Sequence, residues 1–344
     1  MKLGLQVGYW FAGPTPGVAE QVAAAERLGF DSIWFAEAYG SDCFTPLAWY
    51  GQQTSGVQLG TAVCQLSART PTATAMTALT LDHLTGGRMI LGLGASGPQV
   101  VEGWYGERYP RPLARTREYV EIIRRVLARE EPLTFDGDFY QLPRTGPDTT
   151  GLGKPIKSIT HPRRADLPIY LGAEGPKNVA LAAEIADGWL PLFMGPGGDA
   201  YYRAALQEGF DRPGARRGWD DFEVCATVSV VVNDDVEVAV DSIRQHLGFY
   251  IGGMGARDVN FHADVFSRMG YEAEVHDIQD LFLSGAKAEA IASVPRQLVE
   301  DIALVGPVDK IRDDLARWEE TCITTMLVSG PPLALEVIAD TIRG

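Results

Sequence analysis

The chain has 344 residues, 46% of them hydrophobic, and a formal net charge of -15 at pH 7. This length and apolar content allow one large α/β barrel with insertions as readily as two smaller domains. The negative charge argues against a nucleic-acid or anionic-membrane partner, because the field of the whole chain repels phosphates. An anionic ligand would therefore need its own local set of donors.

Cysteine and histidine spacing excludes further classes of protein. The four cysteines are scattered without Cys-x-x-Cys spacing, which predicts reduced thiols in a cytoplasmic protein. The five histidines show no ligand spacing, so we expect no metal site. We find no charged-then-apolar leader and no apolar run of bilayer length, so neither secretion nor membrane insertion is expected.

A strand followed by a helix recurs along the first part of the chain. The predicted strands cover residues 2–7, 31–36, 57–64 and 89–93. The helices between them open on cap-and-proline pairs such as Thr70-Pro71. This alternation predicts parallel strands with helices outside.

The fourth strand breaks into glycines at Gly92, Gly94 and Gly97. Backbone can approach a flat ligand there because no Cβ stands in the way. The alternative is a plain strand-to-helix turn with Ser96 as N-cap and Pro98 at the first helical position.

Two interruptions separate the later repeats. Residues 107–166 contain an amphipathic helix and a hairpin, and we interpret them as an insertion; a second, helical insertion covers residues 248–300. The repeat resumes with strands at residues 169–171, 188–193, 222–232 and 324–329. Eight strands favour a single (β/α)8 TIM barrel over residues 1–344, with the insertions over its C-terminal mouth.

Function in such barrels lies in the loops after the strands, and one loop is a candidate anion site. Its residues are Gly172, Ala173, Glu174, Gly175, Pro176, Lys177 and Asn178. The helix that starts near Pro176 would point free N–H groups at an anion, and Lys177 adds a cation. Glu174 counts against this interpretation, and an ordinary capped turn is the alternative.

Glu37 follows the second strand, where a general acid or a cofactor hydrogen bond would come from. A salt bridge to Arg69 is the competing interpretation, and Asp42 is expected to cap the next helix. His161 and His262 lie in the insertions that could fold over the mouth, so each is considered as a proton donor.

Five motifs in order give the chain a family resemblance. They are Gly29-Phe-Asp-Ser-Ile-Trp34 with Ala36-Glu-Ala-Tyr-Gly40, Leu59-Gly-Thr-Ala-Val63, Leu84-Thr-Gly-Gly-Arg88, Gly92-Leu-Gly-Ala-Ser-Gly97 and Leu171-Gly-Ala-Glu-Gly-Pro-Lys-Asn178. With them the chain closely resembles the bacterial luciferase-like superfamily, and within it the oxidoreductases that use the deazaflavin coenzyme F420.

The resemblance implies a homodimeric (β/α)8 barrel that holds the deazaflavin at the C-terminal ends of its strands. It implies that residues 172–178 hold the phosphate of the cofactor tail and that Ala62-Val63 forms a non-proline cis peptide behind the ring. Glu37 would hydrogen-bond near the ring. The remaining residues implied to contact the cofactor are Gln65, Gly94, Ala95, Ser96, Gly97 and Gln99.

Three departures from the resembling enzymes leave the substrate open. Ala38 stands where alcohol-oxidising members have a histidine, Gly97 where sugar-phosphate dehydrogenases have a glutamate, and Gln6 where pterin reductases have a glutamate. The candidate catalytic residues are Glu37, Tyr39 and His161. Pocket walls are expected from residues 143–164 and 252–271.

We therefore expect an F420-dependent oxidoreductase that passes a hydride between the cofactor and a small organic substrate with a carbonyl, an alcohol or an activated double bond. The first alternative is a monooxygenase of the same barrel that uses FMN. The second is a barrel that binds the cofactor without turnover.

Overall fold

The computed structural model describes residues 1–254 and 260–343. In these residues the strands are β1 (Lys2–Gly8), β2 (Ser32–Phe35), β3 (Gln58–Thr61), β4 (Cys64–Gln65), β5 (Met89–Gly94), β6 (Phe135–Asp136), β7 (Gln141–Leu142), β8 (Ile169–Gly172), β9 (Gly188–Leu190), β10 (Glu223–Val232), β11 (Ala303–Gly306) and β12 (Thr325–Ser329).

The helices surround these strands. They are α1 (Val18–Arg27), α2 (Phe44–Gly51), α3 (Pro71–Leu84), α4 (Pro98–Gly103), α5 (Pro112–Ala128), α6 (Pro176–Ile185), α7 (Asp199–Phe210), α8 (Val236–Gly253), α9 (Phe261–Phe266), α10 (Glu272–Leu283), α11 (Lys287–Ala292), α12 (Arg296–Ile302), α13 (Val308–Glu319) and α14 (Pro332–Arg343). In the described part of the chain, no helix is both long enough and apolar enough to cross a membrane.

Eight parallel strand positions close into a barrel. Their order is β1, β2, β3, β5, β8, β9, β10 and β12, and β12 pairs with β1. The short strand β4 continues the third position, because Cys64 pairs with Leu93 of β5. The predicted (β/α)8 barrel is confirmed, and each predicted strand overlaps an observed one.

The sequence interpretation missed one strand, β11. It pairs with the end of β10, where Ser229 faces Ala303 and Val232 faces Gly306. β11 has four residues and follows α12 without any intervening turn residue. A stretch this short within a largely helical run carries too little periodicity to be recognised.

Large side chains fill the barrel interior. Trp34 and Tyr170 stack with ring centroids 5.8 Å apart, and both are at most 7% exposed. Gly60 makes room for the indole, because a Cβ there would lie 2.1 Å from a Trp34 ring atom. These rings close the barrel axis beneath the mouth.

The first predicted insertion begins later than expected. Helix α5 packs against α3 and α6, and its Tyr119 hydroxyl lies 2.5 Å from the Thr74 hydroxyl on α3. It is therefore the barrel helix between the fourth and fifth strands. Sequence periodicity identified the helix but not its neighbours.

The end of the segment after α5 lies at the amino end of the barrel, not at the mouth. Arg164 donates to Asp82 and to the Met89 carbonyl at the start of β5. The His161 carbonyl lies 2.8 Å from His83 Nε2, near the end of α3. None of residues 143–164 lines the cavity, contrary to expectation, and these contacts tie the end of that stretch to the opposite end of the barrel.

Helices α8 to α12 enclose a second apolar core. Leu247, Phe266, Ile278 and Leu298 are fully buried in it. This unit overlaps the second predicted insertion and brings the end of α8 and the start of α9 over the mouth. Of the predicted loop 252–255, Gly255 lies outside the described residues.

Candidate active site

A cavity of about 1030 Å³ opens at the carboxyl ends of the strands. Most of the residues predicted to contact a cofactor line it: Ala62, Val63, Gly94, Ala95, Ser96, Gly97, Gln99, Gly172, Ala173, Glu174, Gly175, Pro176, Lys177 and Asn178. Glu37 and Gln65 are the two that do not. The structure thus brings the glycine-rich loop and the candidate anion site to one cavity.

The glycine-rich loop and the anion loop start side by side. Gly94 of β5 pairs with Gly172 of β8. A Cβ added at Gly94 would lie 2.4 Å from Val63 Cγ2, and a Cβ added at Gly172 would lie 3.0 Å from Val63 Cγ1. The two glycines therefore admit the Val63 side chain between the strands. The Ala62-Val63 peptide bond is cis, as the resemblance implied.

The turn into α4 differs by one residue from the sequence prediction. Gly97, rather than Ser96, is the N-cap residue, and Pro98 opens the helix as expected. Ser96 adopts a left-handed φ of 60°, and its carbonyl accepts a hydrogen bond of 2.8 Å from the Tyr109 hydroxyl. That bond holds the loop at the cavity edge.

The α6 turn has the geometry of an anion site. Gly175 is the N-cap, and Pro176 occupies the first helical position. The Asn178 N–H bonds the Gly175 carbonyl at 2.9 Å, so Asn178 offers less than the sequence suggested. Lys177 keeps an N–H at the helix start and a cationic side chain at the cavity.

Glu174 is turned toward His262. Its Oε1 lies 2.7 Å from His262 Nδ1, and its carbonyl accepts a hydrogen bond of 3.1 Å from Arg268. His262 also lines the cavity, although the sequence gave it no more weight than His161. Asn260, whose side chain caps α9, was the local signal that a helix starts there.

Glu37 forms the salt bridge that the sequence left open. Arg69 donates to its two carboxylate oxygens at 2.8 and 2.9 Å, and the Gln65 N–H donates to Oε2 at 2.9 Å. Burial opposes the positive charge, but Cys64 and Glu37 outweigh it and raise the pKa of Arg69. Glu37 therefore lies behind the Val63 wall, outside the cavity.

The other predicted catalytic residues separate. Tyr39 lines the cavity and is half exposed, with its hydroxyl 4.0 Å from Met254 Sδ. His161 is exposed at the amino end of the barrel and cannot reach the cavity. Gln6 lies on the cavity floor, and its buried Oε1 has no partner among the described residues.

One buried group of side chains has the composition of a metal site. The ligand atoms of Glu37, Cys43 and Cys64 lie within 4.8 Å of one another. Arg69 already supplies positive charge there, since its guanidinium contacts Glu37 and lies 3.7 Å from Cys64 Sγ. Burial raises the pKa of Cys43 well above its ordinary value, so that thiol stays protonated. The contacts favour a structural role.

Comparison with known proteins places this site in context. A family model described as luciferase-like monooxygenase matches residues 12–325. A Mycobacterium tuberculosis protein with the name "Putative coenzyme F420-dependent oxidoreductase Rv3520c" is 61% identical over 329 residues, which span 96% of this chain and 95% of the relative.

More distant relatives agree in fold. The 5,10-methylenetetrahydromethanopterin reductase of Archaeoglobus fulgidus is 27% identical over 311 residues, covering 90% of this chain and 88% of that protein. The solved coenzyme F420-dependent tetrahydromethanopterin reductase from Methanopyrus kandleri superposes with a TM-score of 0.79 at 21% identity, covering 99% of this chain and 97% of that one.

Proposed function

The chain belongs to the luciferase-like monooxygenase family, and from that membership we propose that it is a coenzyme F420-dependent oxidoreductase. It transfers a hydride between the deazaflavin and a small organic substrate with a carbonyl, an alcohol or an activated double bond. The relative at 61% identity supports the choice of cofactor. The observation that carries the proposal is the cavity that joins the Val63 wall, the glycine-rich loop and the α6 turn.

The residues present fit a deazaflavin with an anionic tail. The ring would rest against Val63, where Gly94 and Gly172 keep the wall free of further side chains. The tail phosphate would be held by Lys177, through its ammonium group and its N–H at the start of α6. When bound, the deazaflavin supplies a hydride at a ring carbon and does not readily pass single electrons to oxygen.

The other lining residues orient the reactants and exclude water. Leu113, Leu192 and Met254 give the cavity apolar walls. The unpartnered Gln6 Oε1 on the floor would accept a hydrogen bond from a bound N–H or O–H group. Of the three predicted proton donors only Tyr39 lines the cavity, so we retain its hydroxyl as the candidate donor.

Binding and turnover test this proposal separately. We expect the purified protein to bind oxidised F420 tightly and FMN weakly, as measured by fluorescence titration. Oxidation of reduced F420 by a panel of ketones, enones and aldehydes would then identify the substrate class. Tight FMN binding without F420 binding would favour the monooxygenase alternative, which the family description keeps in view. F420 binding with no turnover of any acceptor would favour a binding-only barrel.

Assembly, domain organisation and location are further expectations. We expect one barrel domain and a homodimer, and exposed apolar side chains on adjoining helices are consistent with a second copy. Trp49 on α2 is 64% exposed and Met76 on α3 is 61% exposed. Light scattering should report a dimer that Trp49→Glu weakens. A single cooperative unfolding transition would fit one domain, and cell fractionation should recover the protein from the cytoplasm.

A further inference from the structure

The Glu174 and His262 pair lies within the part of the cavity where we place the cofactor tail. Glu174 comes from the turn between β8 and α6, and His262 is the second residue of α9. Their side chains are 14% and 23% exposed, and 2.7 Å separates Glu174 Oε1 from His262 Nδ1. A carboxylate this close to a phosphate site would repel the phosphate unless its charge is balanced.

The charge of this end of the cavity depends on His262. Of the described residues that line the cavity, the charged or chargeable side chains apart from tyrosine are Glu174, Lys177 and His262. With neutral His262 the Lys177 and Glu174 charges cancel, whereas protonation of His262 leaves one net positive charge. Because the chain carries -15 overall, this local charge matters for an anionic ligand.

Other charged and titratable groups face His262 without replacing it. Arg268 contacts the Glu174 carbonyl rather than its carboxylate. On α8, the ring centroid of Tyr250 lies 4.9 Å from that of His262, and the ring centroid of His246 lies 4.6 Å from that of Tyr250. Burial and the charge of His262 lower the pKa of His246. The charged form of His246 is therefore disfavoured, and His262 is the histidine that contacts Glu174 directly.

The hydrogen bond determines which nitrogen of His262 can gain the proton. Glu174 accepts from Nδ1, so neutral His262 carries its hydrogen there, and Nε2 is the free acceptor. Protonation at Nε2 keeps the bond to Glu174 and adds a second N–H donor. Phe193 meets the imidazole edge-on at 6.0 Å and helps to fix the ring.

We propose that His262 is a positioning residue for the anionic tail of the cofactor, acting by neutralising Glu174. When His262 is protonated, its charge balances that of Glu174. The positive charge of Lys177 then remains at the α6 turn and favours phosphate binding. Neutral His262 leaves the negative charge of Glu174 unbalanced near the phosphate and weakens binding. This inference rests on the proposed function and adds to it a residue that the motifs did not identify.

The test measures Kd for two probes by fluorescence titration at about pH 5.5 and about pH 8.5. One probe is oxidised F420, and the other is the same deazaflavin without its phosphate tail. We expect wild-type protein to bind F420 on the order of tenfold more tightly at the lower pH, because one unit of charge is gained near the phosphate. The tail-free probe reports any titration of the ring itself and should show no such change.

Two variants isolate the pair. His262→Asn keeps a donor near the Nδ1 position without a titratable charge, and should bind F420 with the weaker affinity at both pH values. Glu174→Gln removes the repelling charge, and should bind F420 at the higher pH more tightly than wild type does. Circular dichroism checks that both variants fold.

Three results would overturn the inference. These are an equal pH dependence for the tail-free probe, a pH dependence retained in His262→Asn, or no gain of affinity at high pH in Glu174→Gln. If neither probe binds at any pH, the proposed function fails and this inference fails with it. If both probes bind and their Kd values change with pH to the same extent, the proposed function stands and only the role of His262 is lost.

Discussion

Asp187 at the amino end of the barrel and Lys177 at the cavity show two opposite uses of a charged side chain. At the amino end the charges are buried and paired: Asp187 is 4% exposed and contacts Arg124, Arg216 and Arg217. At the carboxyl end the cavity has glycines, apolar walls and a lysine that forms no ion pair within the described residues. A group whose partners lie within the protein stabilises the fold, whereas a group left without one is available to a ligand.

The largest expected effect comes from removing Asp187. Asp187→Ala should lower the free energy of unfolding by about 3 kcal/mol, because it removes the buried carboxylate of the cluster and leaves the three guanidinium groups with only the exposed Asp166 and Asp221 as partners. Urea unfolding measures this loss. Asp309→Ala, at a side chain 96% exposed, is the control and should change little. A large loss of F420 affinity in folded Asp187→Ala protein would break the comparison between the two ends.

At the mouth, Gly94→Ala should affect binding more than folding. Its Cβ would lie 2.4 Å from Val63 Cγ2, so the wall must move. We expect F420 affinity to fall by about tenfold or more, with a stability loss of about 1 to 2 kcal/mol. Gly197→Ala, where nothing lies within 4 Å of the added Cβ, is the matched control. Unchanged affinity in Gly94→Ala would remove Val63 as a cofactor contact.

Lys177→Ala should weaken F420 binding by about tenfold through the loss of one charge at the tail site. The tail-free deazaflavin should bind as before, and the stability should hold because Lys177 is exposed. Lys154→Ala, an exposed lysine in the segment after α5, controls for net charge. Equal losses for both probes would place Lys177 near the ring instead.

The smallest effect concerns pH. Hydrogen bonds from Arg117, and then from Arg212, lower the pKa of Glu184 at the amino end of the barrel. The stability that Glu184 contributes is present above its ordinary pKa of 4.5 and is lost as pH falls through the lowered value. Acid unfolding should show a loss of about 1 kcal/mol or less from this group, absent in Glu184→Gln. An equal loss of stability at acid pH in Glu184→Gln would contradict the assignment of this loss to Glu184.

The sequence predicted the barrel well because each strand is an apolar run followed by turn residues. It could not place the segments outside that repeat. His161 and His262 looked alike as loop histidines, yet Arg164 and Asp82 hold one segment at the amino end, while Glu174 meets the other at the mouth. These contacts join residues more than 80 positions apart, and local patterns do not encode them.

Spacing also could not decide between two roles for one residue. Glu37 at a strand end fitted either a ligand contact or a salt bridge, and the choice depended on which way Arg69 folds back. The cavity-lining glycines were easier to predict, since a missing Cβ has the same effect wherever the chain brings it.

The stacked rings of Trp34 and Tyr170 have a kinetic consequence. In the described part of the chain they block passage along the barrel axis. Two molecules that meet in the cavity must therefore both enter through its mouth. Where the outer molecule covers the deeper one, the deeper one must bind first and leave last. Steady-state kinetics should accordingly follow a compulsory order, with the outer reactant exchanging many times for each departure of the inner one.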